Sequence, residues 1–285
     1  MIRGMTSDGY VRFFAVTSHE TVQTAIDVHN LSTVNSVVMG RLIIGGLLMG
    51  ECLKNPEDLL TLRIDGDGPI GVVLVTATGR GTIKGYVECP QVELTLNERG
   101  FAVAEAVGSG SLTVIKSISG RPPYSGQVEL VSSEIGLDIA NYFFQSEQID
   151  TIINIGILLN PDTTIKQAGG FLIQCMPDTP DELLLQLQKN NESFPNLSDF
   201  MDMGHSLVDI LEKYIFKGIP IKITDSHPVS YQCNCDKQRF LDGIKLLGKE
   251  EIQSLIDSDE SISAECHFCD KKYSFSRDEL TGLLS

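Results

Sequence analysis

The chemistry most legible in this 285-residue chain sits near its C-terminus, in Cys233-Asn-Cys235 and, after 30 intervening residues, Cys266-His-Phe-Cys269. Four thiolates in two close pairs suit the tetrahedral, all-sulfur coordination of Zn²⁺, with Zn–S bonds of ~2.3 Å. C-x-x-C is the usual chelating knuckle, and C-x-C is a tighter variant that still reaches one ion. His267, inside the second knuckle, is a competing ligand. Zinc keeps all four sulfurs as thiolates at neutral pH, the form that peroxide or hypochlorite attacks. Each cysteine has a partner two or three residues away, and a C-x-C disulfide is strained and so readily reduced again. Cys52, Cys89 and Cys175 stand among apolar neighbours and read as small buried hydrophobes.

The elements that carry these pairs are small. Cys233 to Ser285 is 53 residues, too few for a robust core without a staple. Arg239 to Leu255, with Phe240, Ile244, Leu247 and Ile252, predicts two short helices broken near Gly248, and Cys266 to Phe275 predicts a knuckle leading into a short strand. Loss of zinc removes ~10–16 kcal/mol of apparent binding energy, against the ~5–15 kcal/mol by which whole domains are stable. Oxidation would therefore unfold the tail, and helices packed against it could follow. A redox-triggered unfolding switch is thus permitted by the chemistry.

Upstream, residues 1–178 read as a mixed α/β domain. Tyr10 to Val16 is a short strand, Glu20 to His29 has helical spacing, and strands follow at Leu60–Ile64, Gly71–Ala77, Gly85–Val87, Ser111–Lys116, Gly126–Leu130 and Gly170–Gln174. Leu137 to Phe144 is helical. Composition shifts at Pro177-Asp-Thr-Pro180, and from there to about residue 216 Leu183, Leu184, Leu187, Leu197, Phe200, Met201, Leu207, Ile210, Leu211 and Tyr214 recur at three- and four-residue intervals. The expected organisation is α+β: a mixed α/β core domain (residues 1–178), an amphipathic helical linker (179–232) and a small four-cysteine zinc and redox-switch module (233–285).

The net charge of −16 opposes phosphate backbones and anionic lipid, so neither nucleic acid nor a membrane is an expected partner. The most apolar run, Val37 to Gly50, is short, carries Arg41 and is interrupted by glycines, and the N-terminus has no signal-peptide core. A cytoplasmic protein with reduced thiols is the expectation. Gly66-Asp-Gly-Pro-Ile-Gly71 has dinucleotide-loop spacing but runs on into Val72-Val-Leu-Val, a strand where that fingerprint requires a helix, so it reads as a β-turn. Gly243 to Lys249 has Walker A spacing, but Glu250 stands where Ser or Thr must meet Mg²⁺, so no ATP chemistry is expected. The five histidines fall in no catalytic spacing, and no enzymatic activity is expected.

Longer patterns now bear on function. Met39-Gly-Arg41, Ile64-Asp-Gly-Asp-Gly-Pro69, Lys84-Gly-Tyr-Val87, Tyr124-Ser-Gly-Gln-Val-Glu-Leu130, Tyr142 with Ser146-Glu-Gln148, Ala168-Gly-Gly-Phe171, Leu247-Gly-Lys-Glu250 and Tyr273-Ser-Phe275 accompany the paired cysteines. In these the chain resembles, nearly end to end, the 33 kDa chaperonin family, the redox-regulated heat-shock holdases of bacteria. The resemblance implies a reduced, inactive form with one Zn²⁺ on Cys233, Cys235, Cys266 and Cys269. It implies that oxidants, helped by heat, form Cys233–Cys235 and Cys266–Cys269 disulfides and release the zinc. The linker would then unfold, and the protein would dimerise and hold unfolding client proteins without ATP. Lys116-Ser-Ile-Ser-Gly120 departs from the Lys-Asp-Leu-Gly common in relatives. The alternative is a constitutive structural zinc-ribbon adaptor for one folded protein partner. A thiol oxidoreductase fits less well, because no thioredoxin-like βαβ context surrounds Cys266-His-Phe-Cys269.

Overall fold

Alternation of apolar and polar side chains with period two, and its loss in a few wholly apolar runs, decides the architecture. In the computed structural model residues 1–95, 100–258 and 262–284 are described. They form two units, Met1–Gln232 and Cys233–Ser285. The first unit begins with β1 (Ile2–Thr6), β2 (Val11–Thr17), α1 (His19–His29) and α2 (Thr33–Gly50). β3 (Leu59–Gly66), β4 (Val72–Thr78), β5 (Thr82–Val87), α3 (Val103–Val107), β6 (Gly110–Ser117), β7 (Tyr124–Glu129) and α4 (Gly136–Tyr142) follow, the last continued by a π-helical turn, Phe143–Glu147. Then come β8 (Thr151–Leu159), β9 (Ile165–Cys175), α5 (Asp181–Glu192), α6 (Leu197–Asp202), α7 (Leu207–Ile210) with a π-helical turn over Leu211–Ile215, β10 (Ile221–Ser226) and β11 (Ser230–Tyr231).

β3, β4 and β5 each bury every second residue, as one-faced strands do, and belong to a six-stranded sheet in the order β11-β5-β4-β3-β6-β7. The second sheet, β10-β1-β2-β9-β8, is antiparallel throughout, and its central strands β2 and β9 are buried on both faces. α2 lies against strands of both sheets, and 16 of its 18 residues are buried. Its glycines allow that approach: a Cβ on Gly46 would stand 2.9 Å from Ile83 Cδ1 and 3.0 Å from Val75 Cγ2. The apolar run is therefore a full-length helix of mean hydropathy 1.4, longer than the sequence suggested. Its length and composition would suit a membrane span, but it is 89% buried as a core helix of the fold.

The second sheet has two apolar faces with different covers. Phe14 and Val16 face the core that α2 fills, whereas Val11, Phe13, Ala15, Phe171 and Ile173 face outward and are buried beneath α5, α6 and α7. Leu187, Leu197, Met201, Ile210, Leu211 and Phe216 supply the other side of that layer. Within it Phe200 stacks edge-on against Tyr214, with ring centroids 4.9 Å apart. After Phe216 the segment expected to be helical departs from that reading, because β10 pairs with β1 and β11 with β5.

The second unit comprises α8 (Lys237–Lys245), α9 (Lys249–Asp257), the antiparallel pair β12 (Ile262–Glu265) and β13 (Lys272–Phe275), and α10 (Arg277–Gly282). Its core is slight: Ile252, Phe275 and Leu280 are its buried apolar side chains among the described residues, apart from Cys266.

Candidate metal centre

Two local structures bring the cysteines together. Cys235 stands one residue before Asp236, whose carboxylate caps α8 by accepting the Arg239 N–H at 2.8 Å. The Arg239 guanidinium donates back to Asn234 O at 3.0 Å, folding the C-x-C segment over the helix start. The β12–β13 hairpin closes through Cys266 N–H to Lys271 O at 2.9 Å. The Cys266 carbonyl accepts from Cys269 N–H at 3.2 Å and from Asp270 N–H at 2.8 Å, and Asp270 adopts a left-handed φ of 54°. This turn holds both sulfurs of the C-x-x-C segment on one side.

The four Sγ atoms lie within 4.8 Å of one another. Cys233 Sγ is 3.6 Å from Cys266 Sγ, and Cys235 Sγ is 3.3 Å from Cys269 Sγ. A tetrahedron with ~2.3 Å Zn–S bonds has sulfur–sulfur edges of about 3.8 Å, so the donor set fits one Zn²⁺. Among the described residues the cluster comprises these four sulfurs and does not include His267. Cys266 is buried and the other three are half-buried.

Tyr273 is the supporting residue to which sequence reasoning assigned no role. From β13 its Oη lies 3.2 Å from Cys235 Sγ and 3.1 Å from Cys235 O, and its ring packs on Phe240 of α8. Burial works against ionisation of Cys235, but hydrogen bonds from Tyr273 and the neighbouring thiols outweigh it and bring the thiol down to about 7. Burial pushes Cys269 up to about 12 and Cys266 also up, so without a metal the cluster would share its protons. The hydrogen bond with Cys235 raises Tyr273 to about 12. The sequence signal for Tyr273 was an aromatic on the strand leading away from the knuckle.

The scattered thiols are placed differently. Cys52 and Cys175 are half-buried against the apolar clusters, not fully buried as expected, and burial raises Cys52 to about 12 and, with Asp150, Cys175 to about 11. Cys89 corrects its expectation: it is exposed, because the chain turns out of β5 just before Pro90. Gly66 to Gly71 is a turn between β3 and β4, and Gly243 to Lys249 spans the junction of α8 and α9. Other patterned residues are held in ion pairs. Glu147 of Ser146-Glu-Gln148 pairs with Lys116, and Arg41 pairs with Glu134.

Fold and site together define a two-sheet protein ending in a thiol-rich module fitted to hold a metal ion. A family model described as Hsp33 protein matches residues 1–276, and the chain belongs to that family. It is 40% identical over 285 residues to a 33 kDa chaperonin of Geobacillus kaustophilus, covering 99% of this chain and 96% of the relative. The 33 kDa chaperonin of Bacillus licheniformis is 39% identical, covering 99% and 98%. The crystal structure of a 33 kDa chaperonin, a heat shock protein 33 homolog, from Thermotoga maritima matches with a TM-score of 0.88 at 34% identity, covering 99% of this chain and 96% of that one.

Proposed function

We propose that this protein is a redox-regulated, ATP-independent chaperone that holds unfolding proteins. The observation that carries the reading is the apolar face of Val11, Phe13, Ala15, Phe171 and Ile173, buried under helices that precede the metal cluster in the chain. An exposed patch of such side chains is a surface for non-native polypeptide. Membership of the Hsp33 family and the names of the relatives support a chaperone.

Bound Zn²⁺ would hold Cys233, Cys235, Cys266 and Cys269 as thiolates and staple a module whose own apolar core is slight. The closest sulfur contacts cross between the two pairs. Forming Cys233–Cys235 and Cys266–Cys269 disulfides therefore makes the sulfurs exchange neighbours and dismantles the tetrahedron. As each disulfide forms, its two thiolates give two electrons to hydrogen peroxide, which takes two protons from solvent and leaves as two waters. With the cluster lost the tail unfolds, the linker of residues 179–232 loosens, and the covered face becomes available to clients and to a second copy of the chain. The net charge of −16 keeps such a species soluble. The working compartment is the cytoplasm, and the role is non-enzymatic.

The test is light scattering from a heat-unfolded, aggregating client without ATP, comparing the reduced zinc form with the form treated with peroxide and heat. Suppression by the oxidised form alone, reversed by dithiothreitol and zinc, is the expected result. Equal behaviour of the two forms would overturn the redox reading and favour a constitutive zinc-ribbon adaptor.

A further inference from the structure

β11 is two residues long, the shortest strand among the described residues, and it pairs in parallel with the edge of β5 through Ser230↔Thr82 and Tyr231↔Ile83. Its backbone continues the sheet for only two rungs, with Ser230 N–H donating to Gly81 O at 3.1 Å and Gln232 N–H to Ile83 O at 2.8 Å. In parallel pairing the next rung falls on Gly85. There the chain has already left the edge for Cys233, and a side chain takes the place of a strand. Tyr231 Oη accepts the Gly85 N–H at 3.3 Å and donates to the Gly85 carbonyl at 2.8 Å. His29 Nε2, 3.0 Å from the same oxygen, fills the hydroxyl's remaining acceptor position in its Nε2–H form. One phenol thus satisfies both backbone groups that an edge strand would otherwise present.

We infer that the outer edge of β5, Thr82–Val87, is a binding site for an extended stretch of non-native polypeptide, and that segment 230–232 with the Tyr231 hydroxyl occupies it as an internal substitute. The occupant follows from what sits there now: a chain in strand conformation, recognised through backbone groups and therefore with little regard to sequence. An added strand of five or six residues could pair along all of β5, where β11 pairs with two residues; among the described residues no other strand lies on that side. A two-residue parallel strand is weakly held. Two residues after it in the chain comes Cys233, one of the four cysteines of the cluster that oxidation would dismantle. Unpaired sheet edges draw extended chains, so uncovering this one supplies a directional, backbone-based contact in addition to the apolar face.

This inference rests on the chaperone reading, and the experiment separates the two. Amide hydrogen exchange at single-residue resolution is followed in the reduced zinc protein, in the oxidised protein, and in the oxidised protein saturated with a reduced, carboxymethylated, permanently unfolded protein. Gly85 exchange should rise about tenfold on oxidation and fall back about tenfold with the unfolded protein bound. Tyr231→Phe should raise Gly85 exchange about tenfold in the reduced form while zinc stays at one per chain. If the unfolded protein binds but Gly85 stays unprotected, the edge is not the site and the chaperone reading stands. Protection that appears on oxidation alone and grows with protein concentration would overturn the inference in favour of a second copy of this chain. Failure of the oxidised protein to bind unfolded polypeptide at all would overturn both.

Discussion

Cys235 and Tyr273 show how a single contact shapes the cluster. The Tyr273 hydroxyl supports the sulfur and the carbonyl of one residue, orienting a ligand in the way outer partners of metal sites do. Tyr273→Phe is expected to weaken zinc binding about tenfold while leaving its stoichiometry at one, read by competition with a chromogenic chelator. Cys233→Ser and Cys269→Ser would each remove one of the four candidate donors. Both should lose tight zinc binding and uncouple client protection from oxidant, and unchanged stoichiometry with an intact oxidant response in both would sink the assignment. The four cysteines that the fold brings together were legible in the sequence because chelating spacing is local. Tyr273 was not, because its role depends on a hairpin register, Ala264↔Tyr273, that brings β13 back beside the cluster.

Among the elements, the helical layer over the second sheet is decided by close approach. Gly156 of β8 lies under α6, where a Cβ would meet Ser198 N at 2.8 Å and Ser198 Cα at 3.2 Å, both in the backbone of α6. Gly156→Ala is therefore expected to push α6 outward and give partial client protection in the reduced, zinc-bound protein, seen in the scattering assay without oxidant. Charge enters at α7, where Ser206 caps the helix by accepting from Asp209 N–H at 3.1 Å. The Lys213 ammonium, first, and the Ser206 hydroxyl hold the Asp209 carboxyl down to about 2 from an ordinary 3.8. A depressed carboxyl favours the folded state at pH above its unfolded value, and that contribution fades as pH falls from about 4 towards 2. Asp209→Asn should flatten this part of the acid-unfolding profile, followed by helix content. The amphipathic repeat of residues 181–216 was readable as helices from spacing alone. β8 was not read as a strand, because Thr151 to Leu159 is a nearly unbroken apolar run without the alternation that marks a half-buried strand.

For the whole molecule, the apolar core of Cys233–Ser285 is slight, so a metal held by its four cysteines would be a main source of its stability. Removing zinc with a strong chelator under reducing conditions should unfold α8, α9 and α10 while the two sheets of Met1–Gln232 keep their strand signal in far-ultraviolet circular dichroism. Readdition of zinc should restore the lost helix. A tail that kept its helix content without metal would show that packing alone sustains it. In the oxidised form the uncovered apolar face should also make sedimentation concentration-dependent, whereas the reduced form should sediment as a monomer.

The chemistry was written in the sequence: paired thiols at chelating spacing, a short acidic tail, an amphipathic stretch before it and patterns shared end to end with a chaperone family. These are local in the chain, so composition and spacing expose them. Tertiary structure alone decided that α2 is enclosed between two sheets, that Cys89 is exposed and that Tyr231 completes the edge of β5. It also decided that β2 and β9 carry two apolar faces with different covers. Each of these depends on residues far apart in sequence meeting in one register, and that information lies in the pairing of strands and not in any single segment.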